Sequence, residues 1–213
     1  MLDEVLGTGR VAVEQFHDLL AAEGVTRGLI GPREVPRLWQ RHLLNSAAVA
    51  PLLPESGTLV DVGSGAGLPG VVLGALRPDL RVVLLEPMLR RTTWLEEVVE
   101  TLGLENVEVL RGRAEEQHAL LRADAVTARA VAPMDRLAEW SLPLLRAGGL
   151  LLAMKGEHAA DELDAAREVI DRLGGGERSV VEVSPGGEVT RVVRVRRDRE
   201  VAPPRAAAKR RRR

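Results

Sequence analysis

The chain has 213 residues, 45% of them apolar and only 2% aromatic, which suits one domain of ordinary size packed mainly with Leu, Val and Ala. It contains no cysteine, which excludes disulfides, thiolate nucleophiles and Cys-ligated metals. The net charge of −1 conceals an asymmetry: residues 196–213 hold nine Arg or Lys against two acids, so this stretch carries +7 and the remainder −8.

Residues 1–57 read as a helical N-terminal segment, with a Pro- and Gly-rich stretch at Gly31-Pro32-Arg33-Glu34-Val35-Pro36. The opening Met1-Leu2-Asp3-Glu4 has acids where a secretory signal has basic residues, and no apolar run approaches the ~18 residues of a membrane span, so a cytoplasmic protein with no membrane partner is expected. Residues 58–197 alternate short β-branched runs with helical patterns. Strands are expected at Thr58–Val62, Arg81–Leu85, Val107–Leu110, Asp124–Arg129 and Gly149–Met154. Helices are expected at Met88–Leu102, Ala114–Leu121, Asp135–Leu145 and Glu157–Leu173. Strands separated by helices imply a parallel, doubly wound sheet. The last two runs, Arg178–Val183 and Val189–Val195, flank Ser184-Pro185-Gly186-Gly187-Glu188, and two strands joined by so short a link must be antiparallel. Residues 198–213 read as a basic tail too poor in apolar bulk to fold alone.

The strongest local signal is Asp61-Val62-Gly63-Ser64-Gly65-Ala66-Gly67-Leu68-Pro69-Gly70, between an expected strand and an expected helix. Its glycines permit a sharp turn and a close backbone approach to a ligand. Gly65 to Gly70 formally matches G-x-G-x-x-G, and Glu86 follows 21 residues after Gly65, so a nicotinamide dinucleotide is the first reading. Three features favour S-adenosylmethionine instead. Asp61 places an acid where a pyrophosphate would be repelled; the methionine end of S-adenosylmethionine carries an ammonium that an acid can hold, directly or through water; and a parallel sheet closed by a hairpin suits the seven-stranded methyltransferase sheet better than the plain dinucleotide fold. Glu86 serves either ligand, since both contain a ribose.

The acceptor atom is narrowed by what is absent. Methylation at C5 of a pyrimidine needs a Cys. Methylation of an exocyclic amine commonly uses an Asn/Asp-Pro-Pro-aromatic tetrad, whereas the corresponding place here reads Ala128-Arg129-Ala130-Val131-Ala132-Pro133. A ring nitrogen with an in-plane lone pair, such as guanine N7, needs no base.

The remaining segments then form one pattern, between about Glu34 and Lys155: Arg41-His42-Leu43-Leu44-Asn45-Ser46, the Asp61–Gly70 loop, Glu86 with Arg90-Arg91, Arg113-Ala114-Glu115-Glu116, Arg129-Ala130 and Lys155-Gly156. In this order they resemble the bacterial small-subunit ribosomal RNA guanine-N7 methyltransferase family, the glucose-inhibited division B type. Asn45 stands where that family often has Asp, and its early Trp-Asn…Asn-Leu-Thr segment has no counterpart here. The resemblance implies a Rossmann-like class I methyltransferase that takes the methyl group of S-adenosylmethionine to N7 of a guanosine in the decoding region of 16S ribosomal RNA. It also implies that the partner is that RNA or the small ribosomal subunit; no His/Asp/Glu spacing suggests a metal site, and a monomer is expected. By the resemblance, Gly63 and Leu68 line the methionine side of the pocket, Ala114 and Glu115 meet the adenine, and Arg129 stands at the mouth; Asp61, Ser64, Gly65 and Glu86 complete the expected cofactor set.

Expected RNA contacts are Arg41, His42, Arg90, Arg91 and Lys155, with Lys209 and Arg210 in the tail. Each has a plainer reading, since helix arginines and a lone lysine are commonly solvated and a histidine can simply pack against the sheet. Trp94 and Trp140, at helical spacing with aliphatic residues, read as core. Arg129 is expected to position rather than to act as acid or base. The competing functions are a methyltransferase of small molecules or proteins on the same fold, and a nucleotide-binding regulator.

The tail generates a test. Truncation before Arg205 removes six basic residues and no expected strand. Cofactor affinity should be unchanged, while binding to 16S RNA should weaken and its salt dependence flatten, because fewer counterions are released. Equal affinities and slopes for both proteins would make the tail a solvated end only.

Overall fold

The computed structural model describes residues 2–184 and 188–201; Lys209 and Arg210 lie outside them. The N-terminal segment forms helices α1 (Leu2–Leu6) and α2 (Arg10–Glu23), a 3₁₀ stretch Pro32–Arg37, a π-helical stretch Leu38–Leu44 and the single turn α3 (Asn45–Ala47). The sheet then begins: β1 (Gly57–Val62), α4 (Gly70–Leu76), β2 (Leu80–Glu86), α5 (Leu89–Leu102), β3 (Val107–Arg111), α6 (Ala114–Gln117), β4 (Ala123–Arg129), α7 (Met134–Ser141), β5 (Leu145–Lys155), α8 (Ala159–Ala165), α9 (Arg167–Arg172), β6 (Gly175–Val183) and β7 (Thr190–Arg197).

The seven strands lie in the order β3-β2-β1-β4-β5-β7-β6. The first five are parallel, and β7 inserts antiparallel between β5 and β6. A plain dinucleotide fold continues parallel in the order 3-2-1-4-5-6; the inserted β7 gives the class I methyltransferase sheet. Central strands buried on both faces explain why Leu80–Glu86 reads as an almost unbroken apolar run.

Three helices end short of their sequence spans. Pro143 has no N–H to donate back to residue 139, so α7 stops at Ser141 and the chain continues as a 3₁₀ turn, Leu142–Leu144. α6 ends at Gln117, and the turn after it leaves Leu120 74% exposed while His118 is buried. The long polar-faced helix is interrupted at Ala166 into α8 and α9. α5 ends as its sequence suggests, on Gly103 in the left-handed conformation at φ 61°.

The N-terminal segment shares a core with one face of the sheet. Phe16, Leu20, Leu38 and Leu43 are fully buried in the same cluster as Leu59, Val71, Leu84 and Trp94. α2 packs on α4 and α5, and Arg27 bridges α2 to α5, 2.6 Å from Glu23, 2.7 Å from Glu97 and over the Trp94 ring at 5.1 Å. Phe16 also reaches the glycine loop: a Cβ on Gly67, whose φ is +105°, would fall 2.9 Å from Phe16 Cζ. Phe16→Ala should therefore cost about 3–5 kcal/mol. In a chain of this size that lowers Tm by roughly 6–20 °C. A thermal melt within two degrees of wild type would show that α2 is not part of the core.

Candidate cofactor pocket

The C-terminal ends of β1, β2 and β4 converge on a cavity of about 450 Å³, the place where open α/β sheets bind ligands. Its floor is the glycine loop. Gly63 and Gly65 sit at φ +72° and +57°, a conformation that glycine adopts without a steric penalty. A Cβ on Gly63 would lie 3.1 Å from Val131, so the bare backbone is itself part of the cavity wall.

Two buried carboxylates and an indole pin this loop. Asp61 Oδ2 accepts from Gly70 N at 3.0 Å. Glu86, 1% exposed, accepts from Gly65 N through Oε2 and from Met88 N through Oε1, both at 3.0 Å. Trp94 Nε1 donates to the Ala66 carbonyl at 3.0 Å. The ladder continues into the loop, where Gly63 N and Ser64 N both reach the Leu85 carbonyl. Side chains from three elements thus hold the turn.

Of the expected cofactor residues, Gly63, Ser64, Gly65, Leu68, Glu86, Ala114, Glu115 and Arg129 all line this one cavity. Asp61 does not. It lies behind the loop, 1% exposed, with Oδ1 buried and unpartnered, so it does not line the cavity and would not directly repel a pyrophosphate there. Ser64 presents mainly backbone, because its hydroxyl donates to the Asp61 carbonyl at 2.9 Å. Glu115 is exposed at the rim, not enclosed.

The expected RNA contacts separate into three groups. Arg41 and Arg90 are exposed, and Arg41 stands 3.7 Å from Glu34. Arg91 and His42 face the cavity instead: Arg91 is 3.6 Å from Glu86 Oε2, with its Nε buried and unpartnered, and His42 is 9% exposed and bonded to Arg129 and Glu34. Lys155 is not presented to a nucleic acid, since its side chain is 9% exposed and its ammonium donates to the Ala132 carbonyl and to Glu162, each at 2.7 Å.

Sequence reasoning overlooked other wall residues. Leu29 and Ile30 come from the N-terminal segment. Val131 follows Ala130, which holds a left-handed φ of 53° unusual for a residue with a Cβ. Trp94 is core as expected, 1% exposed, but Trp140 is half-buried on the cavity wall with Arg136 over its ring at 6.0 Å. No cluster of metal-ligating side chains is present among the described residues, nor any helix long and apolar enough to cross a membrane.

A family model described as rRNA small subunit methyltransferase G matches residues 10–190. The chain belongs to that family. A ribosomal RNA small subunit methyltransferase G from Thermobifida fusca (strain YX) is 58% identical over 90% of this chain and 82% of its own length. One from Beutenbergia cavernae is 54% identical over 90% of this chain and 92% of its own. Among solved structures, NSun6 from Pyrococcus horikoshii with SFG superposes with a TM-score of 0.58 at 17% identity, covering 74% of this chain and 52% of that one. A SAM-dependent O-methyltransferase from Thermotoga maritima gives 0.56 at 14% identity, covering 79% and 71%. At such identities the likeness is one of fold, the class I methyltransferase sheet.

Asp61 gives this family member a measurable pH signature. Burial pushes its carboxyl up to about 7. An unfolded Asp titrates near 3.9, so between about pH 4 and 7 the folded state holds the extra proton and stability falls as pH rises. The interval corresponds to about 4 kcal/mol, nearly all present below pH 4 and lost above pH 7. Asp61→Asn keeps an oxygen for the Gly70 N–H and removes the titration. Urea unfolding from pH 4.5 to 8 should show wild type losing 2–4 kcal/mol relative to the variant, on the order of that interval. Parallel pH curves would mean that Asp61 is ionised throughout.

Proposed function

We propose that the protein methylates N7 of a guanosine in the decoding region of 16S ribosomal RNA, acting as a cytoplasmic monomer on the RNA or on the small subunit. The observation that carries this reading is the cavity at the C-terminal ends of a methyltransferase sheet, in a chain whose family is shown over residues 10–190.

The cavity's chemistry fits S-adenosylmethionine, which when bound supplies an electrophilic methyl group on a sulfonium. The bare backbone of Gly63 and Gly65, with Leu68, would take the methionine side. Glu86 has two oxygens, each already fixed by one backbone N–H, and a carboxylate has about four lone-pair sites, so it retains capacity for ribose hydroxyls. Ala114 and Glu115 would meet the adenine. Arg129 projects from the end of β4 into the cavity, where a cation can orient an anionic group of cofactor or RNA. Guanine N7 has a free in-plane lone pair, so these residues align the reactants and no general base is required. Orientation alone supplies a large part of such a barrier.

Mass mapping of modified 16S nucleotides in cells with and without this gene product tests the function. Loss of one methylguanosine in the decoding region is expected; an unchanged map would leave a small-molecule or protein acceptor. Glu115 tests the cofactor assignment. Because its carboxylate is exposed, Glu115→Ala should cost only about 0.5–1.5 kcal/mol, roughly a 2- to 12-fold weaker affinity for S-adenosylmethionine by calorimetry. Turnover at saturating cofactor should be unchanged; a loss there would assign Glu115 to the chemical step.

A further inference from the structure

Arg129 is fastened to the N-terminal segment by its guanidinium. Nη1 donates to the His42 carbonyl at 3.3 Å and meets Ser46 Oγ at 3.5 Å, while Nη2 lies against His42 Nδ1. On the other side of the ring, His42 Nε2 is 2.6 Å from Glu34 Oε2. A guanidinium has five donors and no acceptor, so Nδ1 must accept from Arg129. The ring proton is then on Nε2, where it is donated to Glu34. The three residues come from three elements: the 3₁₀ stretch, the π-helical stretch and β4.

We propose that Glu34 and His42 form a positioning relay that fixes the Arg129 guanidinium in the cofactor pocket, and that RNA methylation depends on this relay through Arg129. The inference rests on the function proposed above and assigns two residues to it. A free arginine side chain has many rotamers to lose on binding. Here contacts within the protein take up that freedom, and the Nε–H and the second Nη2 hydrogen are left without a hydrogen-bond partner among the described residues.

The relay requires a neutral imidazole. A proton on Nδ1 would set donor against donor and cation against cation. The charged groups facing His42 are Glu34, Arg41 and Arg129; Arg37 acts on Glu34, and Asp61 on Arg129. Burial, reinforced by Arg129, holds His42 below the usual histidine range. The hydrogen bond from His42 holds Glu34 below the usual carboxylate range. Burial lowers Arg129 to about 10, still protonated at neutral pH. The relay is therefore assembled at neutral pH and comes apart as pH falls through the depressed value of His42.

Two measurements test it. NMR titration of the four histidines should place His42 below free histidine. Arg129→Ala should raise its value and Glu34→Gln lower it, because one removes a cation and the other an anion. A His42 titration indifferent to both substitutions would overturn the relay. In 16S methylation assayed well below the variant's Tm, His42→Phe should lower kcat/KM by roughly 10- to 100-fold. His42→Asn, whose amide oxygen can stand in for Nδ1, should recover most of that loss. Because His42 acts through Arg129, the double variant His42→Phe/Arg129→Ala should be no worse than Arg129→Ala alone. Multiplicative losses would overturn the proposal. If wild type methylates no guanosine, the functional reading fails, and the titrations alone decide the relay.

Discussion

The structure depends on the bracing of one turn. Between β1 and α4 the chain must reverse within a few residues while leaving its own backbone bare as the wall of a cavity. Glycine makes that turn geometrically possible but does not hold it, because glycine loses more conformational entropy on folding than any other residue. The holding is done by side chains from three elements: Asp61 on β1, Glu86 on β2 and Trp94 on α5. Asp61 is the expensive member. Burying a carboxylate with one oxygen unpaired is unfavourable, and the upward displacement of its titration is the measure of that cost. A site that must meet a charged nucleoside without rearrangement gains from a turn fixed in advance.

The second constraint is the docking of the N-terminal segment. It contributes core through Phe16 and Leu20, wall through Leu29 and Ile30, and the anchor of Arg129 through His42 and Ser46. The segment therefore links stability to the site. What loosens α2 also reaches the glycine loop, because Phe16 lies against the space that Gly67 leaves open.

Most of the fold was legible in the sequence because its signals are local. The β-branched runs of β1, β2 and β4, the turn residues between β6 and β7, and the clustered glycines each act over a few residues. The boundaries missed were those decided by a single residue's chemistry, as at Pro143, or by which way apolar residues face, as at Leu120. Site residues legible in sequence were those on the sheet's C-terminal ends. Glu34 was not, for a geometric reason. In an α-helix residues eight apart lie about 12 Å along the axis, yet the 3₁₀ and π-helical stretches bring Glu34 to 2.6 Å from His42. Lys155 was misread because its partner Glu162 is reached across a turn and into α8. Trp140 packs against the core as its spacing suggests, and its second role on the cavity wall was not legible because one face of α7 serves both.

The braced glycine loop is expected to cradle S-adenosylmethionine, although its sequence also satisfies the dinucleotide pattern. Calorimetric titration of the purified protein with S-adenosylmethionine and, separately, with NADH tests it most directly. The account predicts saturable binding of one S-adenosylmethionine per chain and no heat of binding with NADH. Binding of NADH with none of S-adenosylmethionine would contradict it.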